Sequence, residues 1–383
     1  MTFFSEETME YDIKTLSQIC EKVTVKGDYP LSAHIEKNVV IYDGDTLRQR
    51  SDKLALKTEF AHVLRDGPGV LVIKNAWKKM ETVDEMTQVF AFILDHEATI
   101  NHGDHFASKD AVPNGRIWNV FQKSALINPE VFIAYYTNPV LRWVSEAWLG
   151  SGYQVTAQVN MVYPGGKAQQ PHRDYHMGFQ RAKALFDFPK HVHHMTPMLT
   201  LQGAVAHSDM PIESGPTLLL PYSQQLPDGY FSIHQSEFNA YFQQHAIQLP
   251  LEKGDAVFFN PALFHAAGEN NTRDLNRCAN LLQISSIYGR AMETVNHFAI
   301  CDAVFDTLAQ QWHKDALSID EKTSIITAVA DCYAFPSNLD RDPPVKGMAP
   351  ATMADLLEQA LAERWKKEVF IDTLTEKENR KRA

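Results

Sequence analysis

The chain has 383 residues, 44% of them apolar and 22% charged, a balance ordinary for a globular protein with a full core and room for one large domain or two. Its formal net charge of −11 argues against nucleic acid or an anionic membrane as the main partner, because those surfaces call for clustered Lys and Arg. The four cysteines, Cys20, Cys278, Cys301 and Cys332, are widely spaced with no C-x-x-C pair, and read as reduced thiols in an intracellular protein. An acidic, polar start unlike a secretory signal, and apolar runs far short of the roughly 20 residues of a membrane span, make a cytoplasmic location the expectation.

Residues 1–50 have little periodicity beyond a short strand at Val39-Val40-Ile41-Tyr42, and read as a lead-in packed on the outside. Leu47, Leu54, Leu56, Phe60 and Leu64 recur at helical spacing over 45–65, and Asp66-Gly67-Pro68-Gly69 then breaks into a buried strand, Val70-Leu71-Val72-Ile73. Further helices are predicted over 83–98 and 128–148. The pattern next changes from helix to sheet. Tyr153, Val155, Ala157, Val159 and Met161 alternate with Gln154, Thr156, Gln158 and Asn160, a strand with one apolar and one polar face that could line a ligand cavity or sit at a solvated edge. Strands follow over 198–206, 217–220, 255–259 and 277–287, with a short helix over 236–244. The absence of strand–helix–strand alternation here points to a jelly roll rather than a doubly wound sheet. Helices return over 292–315, 319–332 and 351–370, and the mixed-charge tail over 376–382 reads as frayed. The expected fold is a mainly β core, a double-stranded β-helix (jelly roll, cupin-like), with helical N- and C-terminal extensions. The expected organisation is one catalytic domain over 1–383: lead-in and helix 1–65, β core with supporting helices 66–289, helical extension 290–383.

The chemistry concentrates in Gln169-Gln170-Pro171-His172-Arg173-Asp174-Tyr175-His176. His172 and Asp174, two residues apart, project from one face of an extended segment and can reach one metal ion. His265, closing the strand-like run from Asp255, offers a third ligand. Two histidines and a carboxylate leave three positions open, the arrangement of non-haem Fe(II) oxygenases. Arg277, entering the next strand, can offer a bidentate fork to an organic acid, with Arg273 as its rival and a salt bridge to Asp274 or Asp255 as the plainer reading. His191-Val192-His193-His194 has no carboxylate or cysteine to complete a metal set, and reads as a structural or substrate-facing loop. A second H-x-D within Asn101-His102-Gly103-Asp104-His105 follows a helix and could line the cavity mouth.

The succession Tyr163-Pro164-Gly165, His172-x-Asp174, Glu213-Ser214-Gly215-Pro216-Thr217-Leu218-Leu219-Leu220-Pro221-Tyr222-Ser223, His265 and Arg277 resembles the phytanoyl-CoA dioxygenase family of Fe(II)/2-oxoglutarate oxygenases over roughly residues 66–287. One departure is Pro221-Tyr222-Ser223-Gln224 where the family has Pro-Gly-Ser-His. The resemblance implies His172, Asp174 and His265 as iron ligands and Arg277 as the partner of the distal carboxylate of 2-oxoglutarate. It further implies Gln169, Thr217 and Arg116 as co-substrate contacts. Related halogenases carry a small residue in place of the carboxylate, so Asp174 points to hydroxylation. The expected function is an Fe(II)-, 2-oxoglutarate- and O₂-dependent dioxygenase acting on a small organic molecule, with 2-oxoglutarate converted to succinate and CO₂. The expected state is monomer or homodimer, with no nucleic-acid or membrane partner. A cupin-like metal-dependent isomerase and a non-catalytic binding barrel are the alternatives; neither has a use for the full set of His172, Asp174, His265 and Arg277.

Overall fold

The computed structural model describes residues 3–6, 11–97, 114–345 and 347–382, so the Asn101–His105 motif lies outside the described residues. Among them, ten strands form two sheets: β1 (His34–Glu36), β2 (Val39–Asp43), β3 (Val70–Lys74), β4 (Gly115–Ile117), β5 (Gln154–Val162), β6 (Thr200–Ala206), β7 (Leu218–Leu220), β8 (Ala256–Phe259), β9 (Phe264–Ala266) and β10 (Arg277–Ser285). The large sheet runs β1-β2-β3-β8-β6-β10-β5-β4, and β7 pairs with β9 in the small one. All pairings are antiparallel except β2 with β3. This is the jelly-roll arrangement of a β core with flanking helices. The N-terminal stretch is more than an outer lead-in, because β2 is buried and hydrogen-bonded inside the large sheet.

The period-2 pattern of the strands divides the protein into two cores. Val155, Ala157 and Val159 of β5, with Leu201, Val205, Leu282 and Ile284, face the helices in the larger cluster. The opposite face contributes Val70, Val72, Ala204, Val257 and Phe259, which meet Leu219 and Leu263 from the small-sheet side. Gln158 and Asn160 of β5 fall on this second, inner face and line a cavity, so β5 is not a solvated edge.

Several helices are shorter than their apolar periodicity predicts, because a capping side chain or a proline intervenes. The segment over 45–65 is two helices, Gly44–Gln49 and Lys53–Arg65, since the Asp52 carboxylate takes the Ala55 N–H and starts a new one; Leu54 is 73% exposed. The segment over 128–148 divides into Pro129–Tyr136 and Pro139–Leu149, where Pro139 has no N–H to continue the first helix and Asn138 caps the second. A further helix, Val120–Ile127, precedes them. In the C-terminal extension Asn296 delays the first helix to His297–His313, the second is Ile319–Val329, and a left-handed Arg364 separates Met353–Ala362 from Lys367–Arg380. The tail is not frayed. Lys377, 1% exposed, forms an ion pair of 2.9 Å with Asp342, a partner too distant in sequence for local reasoning to find.

A buried polar chain crosses the larger core. Thr87 spends its hydroxyl proton on the Val83 carbonyl, so its oxygen accepts from His207 Nδ1 at 2.8 Å, and His207 Nε2 accepts from the Tyr135 hydroxyl at 2.9 Å. That network holds the imidazole neutral, and burial pushes its pKa down to about 3. The unfolded chain protonates near 6.5 while the native state does not, so stability is lost as pH falls below that value. Lowering the pH from about 7.5 to about 5 should therefore reduce the Tm more in the wild type than in His207→Gln, and equal losses in the two would contradict this account.

Candidate active site

The site is built where the 169–174 segment lies beside β9. His172 donates its N–H to the His265 carbonyl at 3.0 Å and accepts from His265 N at 3.2 Å, while Gln169 N and Asp174 N bond the carbonyls of Ala267 and Pro261. Residues directly opposite in an antiparallel pair project from the same face, so the two imidazoles meet, with ring centroids 4.4 Å apart. His265 is in the middle of β9, separated from β8 by a turn at Asn260–Leu263, and does not close the preceding strand. The ladder between the two segments thus matches the pair that the H-x-D spacing alone could not join.

Each imidazole is oriented from behind. His172 Nδ1 bonds the Gln170 carbonyl and His265 Nδ1 the Leu263 carbonyl, both at 2.8 Å, which leaves the Nε2 lone pairs facing forward. Asp174 completes the group, with Oδ1 3.7 Å from His172 Nε2 and Oδ2 3.4 Å from His265 Nε2. Burial by itself would raise the Asp174 carboxyl, but His172, His265 and the Gln202 amide outweigh it and hold the group well below the usual carboxylate range. One ligand atom from each residue lies within 4.8 Å of the others. Two imidazole nitrogens and a carboxylate oxygen fit a ferrous ion with open positions.

Arg173, between two of these residues, points the other way. Its guanidinium donates to the carbonyls of Ser223 at 2.6 Å and Leu226 at 3.0 Å, and lies over the rings of Tyr230 and Phe264. A Cβ on Gly229 would come within 1.9 Å of its Cζ, so a larger residue there would displace the guanidinium from this position. Arg173 is therefore the pin of the H-x-D segment, and the sequence offers no sign of it beyond an Arg in a ligand motif. Arg173→Met is expected to weaken Fe(II) binding by about 10–100-fold, the usual cost of losing outer support for ligands. Equilibrium dialysis measures this, and unchanged affinity in a folded variant would refute the role.

Arg116, Gln169, His172, Asp174, Thr217, His265 and Arg277 all line one cavity of about 470 Å³. Arg277 is buried and donates to the carbonyls of Ser214 at 2.9 Å and Gly268 at 3.3 Å. No carboxylate among the described residues lies within ion-pair distance of it; Asp255 pairs with Lys74 instead, and Arg273 is exposed. Burial lowers Arg277 to about 10. A buried cation whose partners among the described residues are neutral is set up for an anionic ligand. Arg116, on β4 opposite Asn160, lies over the Trp118 ring, and Gln169 accepts from Ala267 N through its side-chain oxygen. The His191–His194 run forms part of a short helix, Lys190–Met195; buried His193 bonds the Leu185 carbonyl and none of the three lines the cavity.

The family model for phytanoyl-CoA dioxygenase (PhyH) matches residues 66–278, more than half of the chain. The chain belongs to the phytanoyl-CoA dioxygenase family. "Dioxygenase trt7" of Aspergillus terreus is 27% identical over 157 residues, 40% of this chain, and the match spans about half (49%) of that relative. "Dioxygenase cdmD" of Talaromyces verruculosus is 31% identical over 254 residues, covering 64% of this chain and 78% of that one. The non-heme alpha ketoglutarate dependent enzymes SnoN, an epimerase, and SnoK, a carbocyclase, both from nogalamycin biosynthesis, are looser structural likenesses. SnoN in complex with Fe3+, alpha ketoglutarate and nogalamycin RO gives a TM-score of 0.45 at 17% identity over 64% of this chain and 90% of that one. SnoK gives 0.44 at 18% over 63% and 85%.

The departure from the family's Pro-Gly-Ser-His motif is absorbed locally. Tyr222 takes the left-handed conformation that glycine favours, its hydroxyl 2.9 Å from Thr24 Oγ1, and Gln224 donates to the Gly67 carbonyl. Ser223 accepts from Phe264 N at 2.8 Å, next to His265, so this turn supports the strand that presents a ligand. Residue-level reasoning missed Gln202 and Gln283, which also line the cavity. Their signal was a lone carboxamide in each of two apolar runs, Thr-Leu-Gln-Gly-Ala and Leu-Leu-Gln-Ile.

Proposed function

We propose that the protein is an Fe(II)- and 2-oxoglutarate-dependent dioxygenase that hydroxylates a small organic substrate within a single catalytic domain. The observation that carries this reading is the convergence of His172, Asp174 and His265 in the cavity that also holds Arg277, a buried cation without a carboxylate partner among the described residues. When bound, iron supplies O₂ activation coupled to oxidative decarboxylation of 2-oxoglutarate to succinate and CO₂. The chain's own work is positioning. His172 and His265 present fixed Nε2 lone pairs, and Asp174 adds the negative charge that favours a divalent cation. Arg277 takes the distal carboxylate of 2-oxoglutarate with its remaining N–H groups, while Gln169, Thr217 and Arg116 hold the rest of that molecule. The apolar side chains among the inner-face residues of β6, β8 and β10, Ala204, Val257, Phe259 and Leu281, exclude water from the reacting bond.

The test is anaerobic addition of Fe(II) and 2-oxoglutarate to the purified metal-free protein. A visible charge-transfer band, together with 2-oxoglutarate-dependent O₂ uptake, is the expected result. A wild-type protein with neither overturns the reading, and metal-dependent turnover indifferent to 2-oxoglutarate would favour a non-redox reaction.

A further inference from the structure

We propose that the substrate is a neutral, mainly apolar molecule bearing a hydroxyl or N–H donor near the bond to be oxidised, and that the carboxamide oxygens of Gln202 and Gln283 receive that donor. The inference rests on the iron and 2-oxoglutarate reading above, which decides which end of the cavity is free. Arg277 opens β10 and Gln283 is six residues further along the same face, so the two are separated by about 20 Å along the strand. Gln202 touches Asp174 and therefore stands beside the metal position. A short diacid held between Arg277 and the metal leaves the Gln202–Gln283 end to the substrate.

Gln283 is directly opposite Gln202 in the β10–β6 ladder, so the two side chains are neighbours on the inner face. They are 7% and 4% exposed, and both line the cavity. The orientation of the Gln202 amide is settled by chemistry: its Nε2 donates to Asp174 Oδ2, and a carboxylate can only accept, so Oε1 is turned away. Among the described residues that oxygen is buried with no hydrogen-bond partner, and so is Oε1 of Gln283. The neighbour that could help, Thr156 on β5, spends its hydroxyl on the Gln283 main-chain carbonyl at 2.8 Å.

Buried acceptors without donors are costly, and a ligand that brings donors removes that cost. Leu281 and Ala204, paired with each other two residues along from Gln283 and Gln202, and Met292, which meets Gln158 opposite Leu281, line the cavity beside them and suit an apolar body. Among the described residues an anionic head group finds no counter-ion there: no lysine lines the cavity, Arg116 is level with Ala279 through Asn160, and the Arg173 guanidinium is spent on the Ser223 and Leu226 carbonyls.

The experiment uses the full chain without metal, with 2-oxoglutarate in excess to occupy Arg277, and matched probes: the neutral 2-decalol and its O-methyl ether, and the anion decalin-2-carboxylate, with affinities from saturation-transfer NMR competition. The alcohol should bind about tenfold more tightly than the ether, the size of one hydrogen bond, and more tightly than the carboxylate. Gln283→Leu should abolish the preference while retaining the ether, and Gln283→Met provides the same comparison if the leucine variant fails to fold. Absence of alcohol-selective binding in the wild type, or its persistence in the folded variants, overturns the proposal. The wild-type charge-transfer band tests the underlying reading separately: a band without alcohol preference sinks only this inference, and no band sinks the oxygenase.

Discussion

Asp174→Ala is expected to lose the charge-transfer band and 2-oxoglutarate-dependent O₂ uptake together. The variant removes the only carboxylate among the three converging ligands, and with it the negative charge that faces the two Nε2 atoms at 3.4 and 3.7 Å. Its metal affinity should fall by more than the roughly 10–100-fold that losing an outer hydrogen-bond partner costs. Asp174→Asn is the sharper control, because it keeps the shape of the side chain and the contact with Gln202 while removing the charge. Thermal unfolding with and without Fe(II) gives an independent reading: the metal should raise the Tm of the wild type and leave that of both variants unchanged. A band of wild-type intensity in either variant would remove Asp174 from the ligand set.

Arg277→Leu should act on the co-substrate and spare the metal. Truncating one side of a buried charge pair costs about 2–5 kcal/mol, so a rise of about thirtyfold or more in the 2-oxoglutarate KM is expected. Arg277→Lys should recover part of that loss, since it keeps the charge but not the planar fork that also reaches the Ser214 and Gly268 carbonyls. Fe(II) affinity measured by dialysis should be unaffected in both. A parallel fall in metal affinity would mean that Arg277 only supports the fold, and an unchanged KM would return the carboxylate role to another residue.

The two faces of β5 show why part of the fold was legible from residues alone. Alternation is a property of the local chain, and Val155, Ala157 and Val159 declare one face whatever they pack against. Which face sees a cavity depends on the small sheet opposite, and no property of β5 itself encodes that. Helix lengths failed for a related reason. Apolar spacing runs on across Asp52, Asn138 and Arg364, while the actual breaks are made by a cap, a proline and a left-handed residue. Spacing reports burial, and the backbone hydrogen bonds report where a helix stops. Arg173 is the clearest omission: a charged residue in a polar loop reads as exposed, and only the turn carbonyls at 223 and 226 and the rings of Tyr230 and Phe264 make it a buried anchor.

By itself the sequence determined the family and the candidate groups: His172, Asp174, His265 and Arg277 stand out because few residue types can offer an imidazole, a carboxylate or a cationic fork. Only the tertiary structure decided how they meet. The ladder of the 169–174 segment along β9, the Gly215 turn behind Arg277 and the register that sets Gln283 opposite Gln202 depend on pairings between segments far apart in the chain. Local propensity contains no information about such partners. Metal-ligand chemistry is written in side-chain identity, whereas the shape and unsatisfied acceptors of the cavity arise from packing, and those features select the substrate.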